Sequence, residues 1–185
     1  MLRKIGEFIV DIFRQCDGLL LLLCVISNVF GIVMITSATR YLGSWRHVLV
    51  QGIASCIGVV LYLLVSQLDL PEVAKKGWKW IFLFNIVFIL LLKTPFGVAD
   101  NTGNRAWLKF PFLPVSIQPA EFVKLTFTLL LAKQLDWLKK ERNDVSSVRA
   151  VGFLGVHLLV TFGLYYAISS DMGSGLVYIF IFATV

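Results

Sequence analysis

The sequence predicts an all-α fold, a polytopic transmembrane helix bundle with five complete spans and the start of a sixth. Hydrophobic residues make up 58% of the 185-residue chain, and mean hydropathy is +0.83. Charged residues account for only 15%, against roughly 25% in soluble domains. The apolar residues also fall in runs near span length, divided by short charged segments. The formal net charge of +6 is distributed between these runs rather than gathered on one patch. It therefore reads as membrane topology and argues against a nucleic-acid partner.

Taken in order, residues 18–38 form the first span. The run has no small-residue cleavage site after it, so it reads as a retained anchor. Residues 47–66 form the second. Residues 78–92 are a short third, anchored at an interface by Trp78 and Trp80. Residues 121–138 form the fourth, opened by Pro119, whose missing N–H would be unpaired in a first turn anyway. Residues 151–168 form the fifth. Residues 175–185 start a sixth that reaches only about 16 Å, short of a ~30 Å hydrocarbon core, so the chain is expected to stop inside a helix. All of this reads as the N-terminal part of a single membrane domain.

Lysine and arginine placement sets the expected orientation. With the N-terminus in the cytoplasm, the inner segments hold Arg3, Lys4, Arg14, Lys75, Lys76, Lys79, Lys133, Lys139, Lys140, Arg142 and Arg149, which makes eleven. The outer loops hold Arg40, Arg46, Lys93, Arg105 and Lys109, which makes five. That bias places the N-terminus inside and residues 93–117 outside, in a multi-pass plasma-membrane protein. The long outer loop carries three prolines and the aromatic residues Trp107, Phe110 and Phe112. A loop of this length is often functional, and its aromatic content predicts that it lies on the interface or folds back over the helices.

Charged residues converge on the outer face. Glu121 and Lys124 stand three apart in the first turns of the fourth span, on one helix face. Arg105 lies in the outer loop, and Asp171 opens the sixth helix. Charges in a span usually face a protein interior or a wet cavity. Two cations beside two acids suit an anionic headgroup and a proton: Arg, Lys and helix N-termini take phosphate, and a carboxylate within reach of a hydroxyl can act as a general base. Structural alternatives stand beside these readings. Glu121 complements a helix dipole, Lys124 snorkels, Asp171 caps a helix, and Arg105 is an interfacial loop charge. Asp171 could also orient Arg105 or Lys124, or hold a divalent cation.

His157 and His47 read as packed or boundary histidines, and Asn28 and Asn85 as interhelical hydrogen-bond partners. Gly52, Cys56 and Gly58, and Gly152 with Gly155, suggest close helix packing. Cys16, Cys24 and Cys56 lack metal-site spacing. No nucleotide-binding, zinc-protease or serine-hydrolase motif is present.

The run Gln118-Pro119-Ala120-Glu121-Phe122-Val123-Lys124-Leu125 resembles the QPSE-x-x-K-L signature of the SEDS family, which comprises FtsW, RodA and SpoVE. Gly103-Asn104-Arg105-Ala106-Trp107 is similar to that family's G-A-R-R-W segment. Asp171-Met172-Gly173-Ser174 is similar to its P-D-L-G-T segment, and residues 31–38 resemble the run that ends its first span. The chain departs from these patterns at Ala106, Ala120 and Ser170, which stand where the family has Arg, Ser and Pro. The resemblance implies a ten-helix bacterial glycosyltransferase that polymerises lipid II into peptidoglycan beside a class B penicillin-binding protein. It implies that Arg105, Gln118, Glu121, Lys124 and Asp171 are functional polar positions. It also implies that the family's essential acid lies beyond Val185, leaving the catalytic residue unassigned and this segment inactive alone. A lipid II flippase and a non-catalytic scaffold are the competing functions. Elongation, division and sporulation remain equally open.

Overall fold

The computed structural model describes residues 16–43, 45–99, 103–113, 115–142, 145 and 147–185, and divides into two units, Met1–Asp69 and Leu70–Val185. In the first unit, α1 (Gly18–Thr39) and α2 (Arg46–Val65) form an antiparallel hairpin. Asp17 caps α1 by accepting from the Leu20 amide at 3.0 Å, which satisfies one of the unpaired donors of a first turn. The turn after α1 ends at Gly43, which adopts φ 60°, a left-handed value suited to glycine. Ser55 donates to the Asn28 side chain at 2.9 Å, and Tyr62 to the Asp17 carbonyl at 2.9 Å. Asn28 is thus the interhelical partner its sequence position suggests. Neither helix buries any residue within its unit, as expected of helices apolar on every side that meet lipid. The packing role expected of Gly52 and Gly58 is not seen, because open space surrounds both.

The second unit contains α3 (Leu70–Leu90), a two-stranded ribbon of β1 (Gly97–Val98) and β2 (Trp107–Leu108), then α4 (Pro119–Glu141), α5 (Val148–Ser169) and α6 (Met172–Ala183). Helix α3 starts well before the predicted 78. Pro71 suits its first turn, Glu72 pairs with Lys76 at 2.6 Å, and Ala74 is buried. Charge in these turns disguises the helix as a loop. Helix α4 extends a few residues beyond both predicted limits, and α5 and α6 start three residues before theirs.

Helices α1, α2 and α5 are long and apolar enough to cross a membrane. Helices α3 and α4, with 21 and 23 residues, are about 32 and 35 Å long but carry more charge. Helix α4 buries a stripe of Ala120, Val123, Phe127, Leu130, Leu131 and Leu138, spaced as one helix face requires. The Phe88–Phe122 contact and the bond from Thr126 to Asn85 join it antiparallel to α3. Asn85 thereby has its expected interhelical partner. Helices α4 and α5 meet at Gln134–His157 and Trp137–Phe153, and α6 returns along α5. They pack tightly at Gly175, where an added Cβ would lie 2.8 Å from the Phe162 ring. Gly155 is in ordinary contact with Phe182, and Gly152 has nothing near it, so the tight glycine lies elsewhere than the sequence suggested. The corner between α5 and α6 is Ser170, in the left-handed conformation at φ 55° and ψ 18°. The chain is an all-α membrane helix bundle with one small ribbon.

Candidate functional site

The loop of residues 93–117 folds back onto the helices, the second of the two arrangements its aromatic content predicts. Ribbon pairing sets Gly97 opposite Leu108 and Val98 opposite Trp107. Leu108 also bridges to Ile117, immediately before α4. Leu92, Ala106 and Leu108 are buried beneath the loop, and Phe110 stacks between Phe96 and Phe112. The Arg105 amide donates to the Ser169 carbonyl at 3.0 Å, tying the loop to the end of α5.

Arg105 turns its guanidinium onto the loop itself. Its Nε donates to the Gly97 carbonyl at 3.2 Å and its Nη2 to the Thr94 carbonyl at 2.9 Å. Two of its five N–H donors are thus spent on backbone, and the other three have no partner among the described residues. Ala106, which stands where the resemblance offers a second arginine, is buried and supplies no cation.

Asp171 joins three elements. One carboxylate oxygen accepts from the Ser174 amide at 3.2 Å, capping α6. The other accepts from the Tyr165 hydroxyl at 2.9 Å and from Gln118 Nε2 at 3.2 Å. Gln118 also donates to the Ser174 hydroxyl at 3.0 Å. The residue before α4, the residue before α6 and the last turns of α5 therefore meet at one carboxylate. Burial opposes the Asp171 charge, but hydrogen bonds from Ser174, Tyr165 and the backbone N–H groups of Ser174 and Gly173 outweigh it. The carboxyl is held below the ordinary aspartate range. Asp171 makes no contact with Arg105 or Lys124 in the described residues, so the capping role is the one observed. Tyr165 and Ser174 were not among the sequence candidates. Tyr165 lies in an apolar run that hides its hydroxyl, whereas the Asp-x-x-Ser spacing was a legible cap signal.

Lys124 and Glu121 form an ion pair at 2.8 Å along α4, with their side chains 17% and 57% exposed respectively. Lys124 faces inward as its span position suggests, and Glu121 does not. From α6, Tyr178 donates to the Ala120 carbonyl at 3.2 Å and packs edge-on against Phe127. This asymmetry predicts unequal mutants. Glu121→Ala strands a largely buried ammonium, while Lys124→Ala strands a carboxylate open to solvent. Glu121→Ala should destabilise the protein more. The double variant should be more stable than Glu121→Ala alone, with a coupling of about 1 kcal/mol. Additive losses in thermal midpoint across the cycle would mean that the two charges act independently.

Among the described residues no three His, Cys, Asp or Glu side chains cluster in a metal-binding group. The candidate site thus comprises an engaged carboxylate at Asp171, an inward cation at Lys124 with its carboxylate, and an arginine whose side chain is held by the loop.

Comparison with known proteins bears on what this arrangement belongs to. A family model described as cell cycle protein, FtsW/RodA/SpoVE, matches residues 17–185. The chain is 29% identical to a probable peptidoglycan glycosyltransferase FtsW of Haemophilus influenzae, over 87% of this chain and 40% of that protein. It is 32% identical to the probable peptidoglycan glycosyltransferase FtsW of Allochromatium vinosum, over 62% of this chain and 30% of the relative. It is also 32% identical to the peptidoglycan glycosyltransferase MrdB of Helicobacter pylori, over 44% and 21% respectively. The chain thus spans less than half the length of these relatives. No solved structure matches it. With the family match running from the cap of α1 through the end of α6, the chain is a multi-pass bacterial membrane protein and belongs to the FtsW, RodA and SpoVE (SEDS) family.

Proposed function

We propose that this chain is the N-terminal part of a peptidoglycan glycosyltransferase that polymerises lipid II. The observation that supports this most is the meeting of Gln118, Tyr165 and Ser174 on Asp171, beside the inward Lys124. It gives the α4 and α6 N-termini a rigid frame with cations next to it, which suits a pyrophosphate leaving group. Lys124 and the unspent donors of Arg105 would steady that group. Gln118 and Asp171 would hold the frame, and Glu121 is the exposed carboxylate available to a proton or to a divalent cation shared with phosphate oxygens. The acid that activates the acceptor hydroxyl would come from the longer protein. A class B penicillin-binding protein is the proposed partner. The orientation has the N-terminus in the cytoplasm and the loop of residues 93–117 outside.

The decisive assay gives purified full-length protein lipid II and resolves the products by gel. Glycan strands are expected from wild type, with loss on Lys124→Ala. Transport of lipid II across vesicles without polymer would instead establish a flippase. Orientation is tested separately in a cysteine-free background. A cysteine at Lys109 should react with an impermeant thiol reagent from outside intact cells, and one at Lys140 should not. The reverse pattern would overturn the orientation and move the proposed site to the cytoplasm.

A further inference from the structure

The opposite end of the second unit carries a cleft of about 530 Å³ between α3, α4 and α5, within the ~300–1,000 Å³ usual for small-molecule sites. Its walls are mainly apolar, with Phe82 from α3, Leu130 from α4, and Val156 and Val160 from α5. Val156 is 63% exposed, so the cleft opens on the outer face of α5, one of the helices apolar enough to lie in lipid.

The polar lining consists of Lys133, Gln134 and His157. Gln134 and His157 are already bonded to each other at 3.0 Å, and the imidazole is packed against the Phe82 and Phe127 rings. Lys133 is different. Its ammonium lies 4.9 Å from the centre of the Trp78 ring and has no ion pair among the described residues. Trp78 and Trp137 both line the cleft, and both are faced by further cations, Lys79 and Arg142. Tryptophans and basic residues together at a helix end mark a membrane interface. Glu72 and Asp136 are matched to Lys76 and Lys140. Lys79, Lys133, Lys139 and Arg142 therefore supply more positive charge than Glu141 offsets.

An apolar slot open to acyl chains, ending at an ammonium that has an interfacial tryptophan face but no ion pair among the described residues, is complementary to one kind of amphiphile. We propose that this cleft binds an anionic phospholipid, with an acyl chain between α3 and α5 and the phosphate on Lys133. A charge-assisted bond to phosphate is stronger than the contact with the Trp78 face that Lys133 makes alone. The proposal does not depend on the glycosyltransferase reading.

The test uses the full-length protein in phosphatidylcholine nanodiscs containing a minor fraction of phosphatidylglycerol with a photoactivatable acyl chain. Crosslinked peptides are mapped by mass spectrometry. Labelling is expected at Val156, Val160 and Phe82. Lys133→Gln should reduce it about fivefold, the worth of one basic residue beside an anionic lipid surface. Val156→Trp, which fills the cleft, should abolish it, with thermal midpoints confirming that both variants fold. Photoactivatable phosphatidylcholine should label the same peptides weakly. Equal labelling by the two lipids, or labelling indifferent to Lys133→Gln, would overturn the proposal. So would a crosslink from a cysteine at Val156 to another segment of the same chain without lipid labelling.

Discussion

Gly97→Ala should unseat the loop of residues 93–117. A Cβ at this position would land on the Leu92 carbonyl oxygen, 2.7 Å from that carbonyl's carbon and 2.9 Å from Arg105 Nε. Two of these atoms are backbone, held by the turn Leu91–Lys93 that ends α3, so no rotamer change relieves the overlap. The ribbon must therefore separate from Leu92, whatever the Arg105 side chain does. That separation exposes Leu108, which is buried and bridged to Ile117. The expected loss is about 3 kcal/mol, read as a lower thermal midpoint and faster proteolysis within residues 93–117. If the proposed glycosyltransferase reading holds, the full-length variant should also polymerise lipid II poorly, because Arg105 is placed by the same contacts. Unchanged proteolysis and thermal midpoint would show that the loop does not rest on this packing.

The second large effect is expected at Asp171. Asp171→Ala removes the α6 cap and leaves Tyr165 and Gln118 without their shared acceptor. A cap contributes about 1 kcal/mol and a hydrogen bond to a charged group about 1.5–3 kcal/mol. With partial compensation by water, a loss of about 3 kcal/mol is expected. Asp171→Asn should be milder, since its single carbonyl oxygen can keep the Ser174 amide but cannot also serve the other two donors. If the charge acts on substrate as well, Asp171→Asn should express well and still polymerise lipid II poorly. The pH dependence follows from the lowered carboxyl pKa. A depressed folded-state pKa adds stability above the unfolded value, which is lost as pH falls through the folded value. The advantage of wild type over Asp171→Asn should therefore hold at neutral pH and shrink below about pH 4. An advantage independent of pH would assign the effect to shape alone.

Much of this was legible in the chain. Helices α1, α2 and α5 announce themselves by uninterrupted apolar length. The buried stripe of α4 follows the spacing of Ala120, Val123, Phe127 and Leu130. The sequence shortens helix α3 because Lys75 and Lys76 resemble a loop to a hydropathy reading, although the Glu72–Lys76 spacing favours a helix. The ribbon could not be read, since two residues per strand leave no alternation to detect. At the site, Gln118, Glu121, Lys124 and Asp171 were found by charge and motif in otherwise apolar surroundings. Tyr165 was missed because a hydroxyl six residues upstream becomes a partner only once α5 turns the corner. For Arg105 the sequence leaves a ligand contact and an interfacial loop charge both open, and the structure shows its guanidinium on backbone carbonyls. A loop lacking regular ladders must pair its carbonyls somewhere.

The left-handed corner at Ser170 bears on how this chain could be redesigned. Substitution toward a family's usual residue is commonly stabilising, and the SEDS motif offers proline here. Proline holds φ near −65° and has no N–H. The corner requires φ 55°, and the Ser170 amide donates to the Tyr166 carbonyl at 2.9 Å. Consensus-guided editing would thus fail at this position, and glycine, at ease with positive φ, is the substitution the backbone would accept. Relatives with proline before the acid must turn this corner by a different backbone path. Grafting their α5–α6 junction into this chain should therefore carry over several residues together, not one.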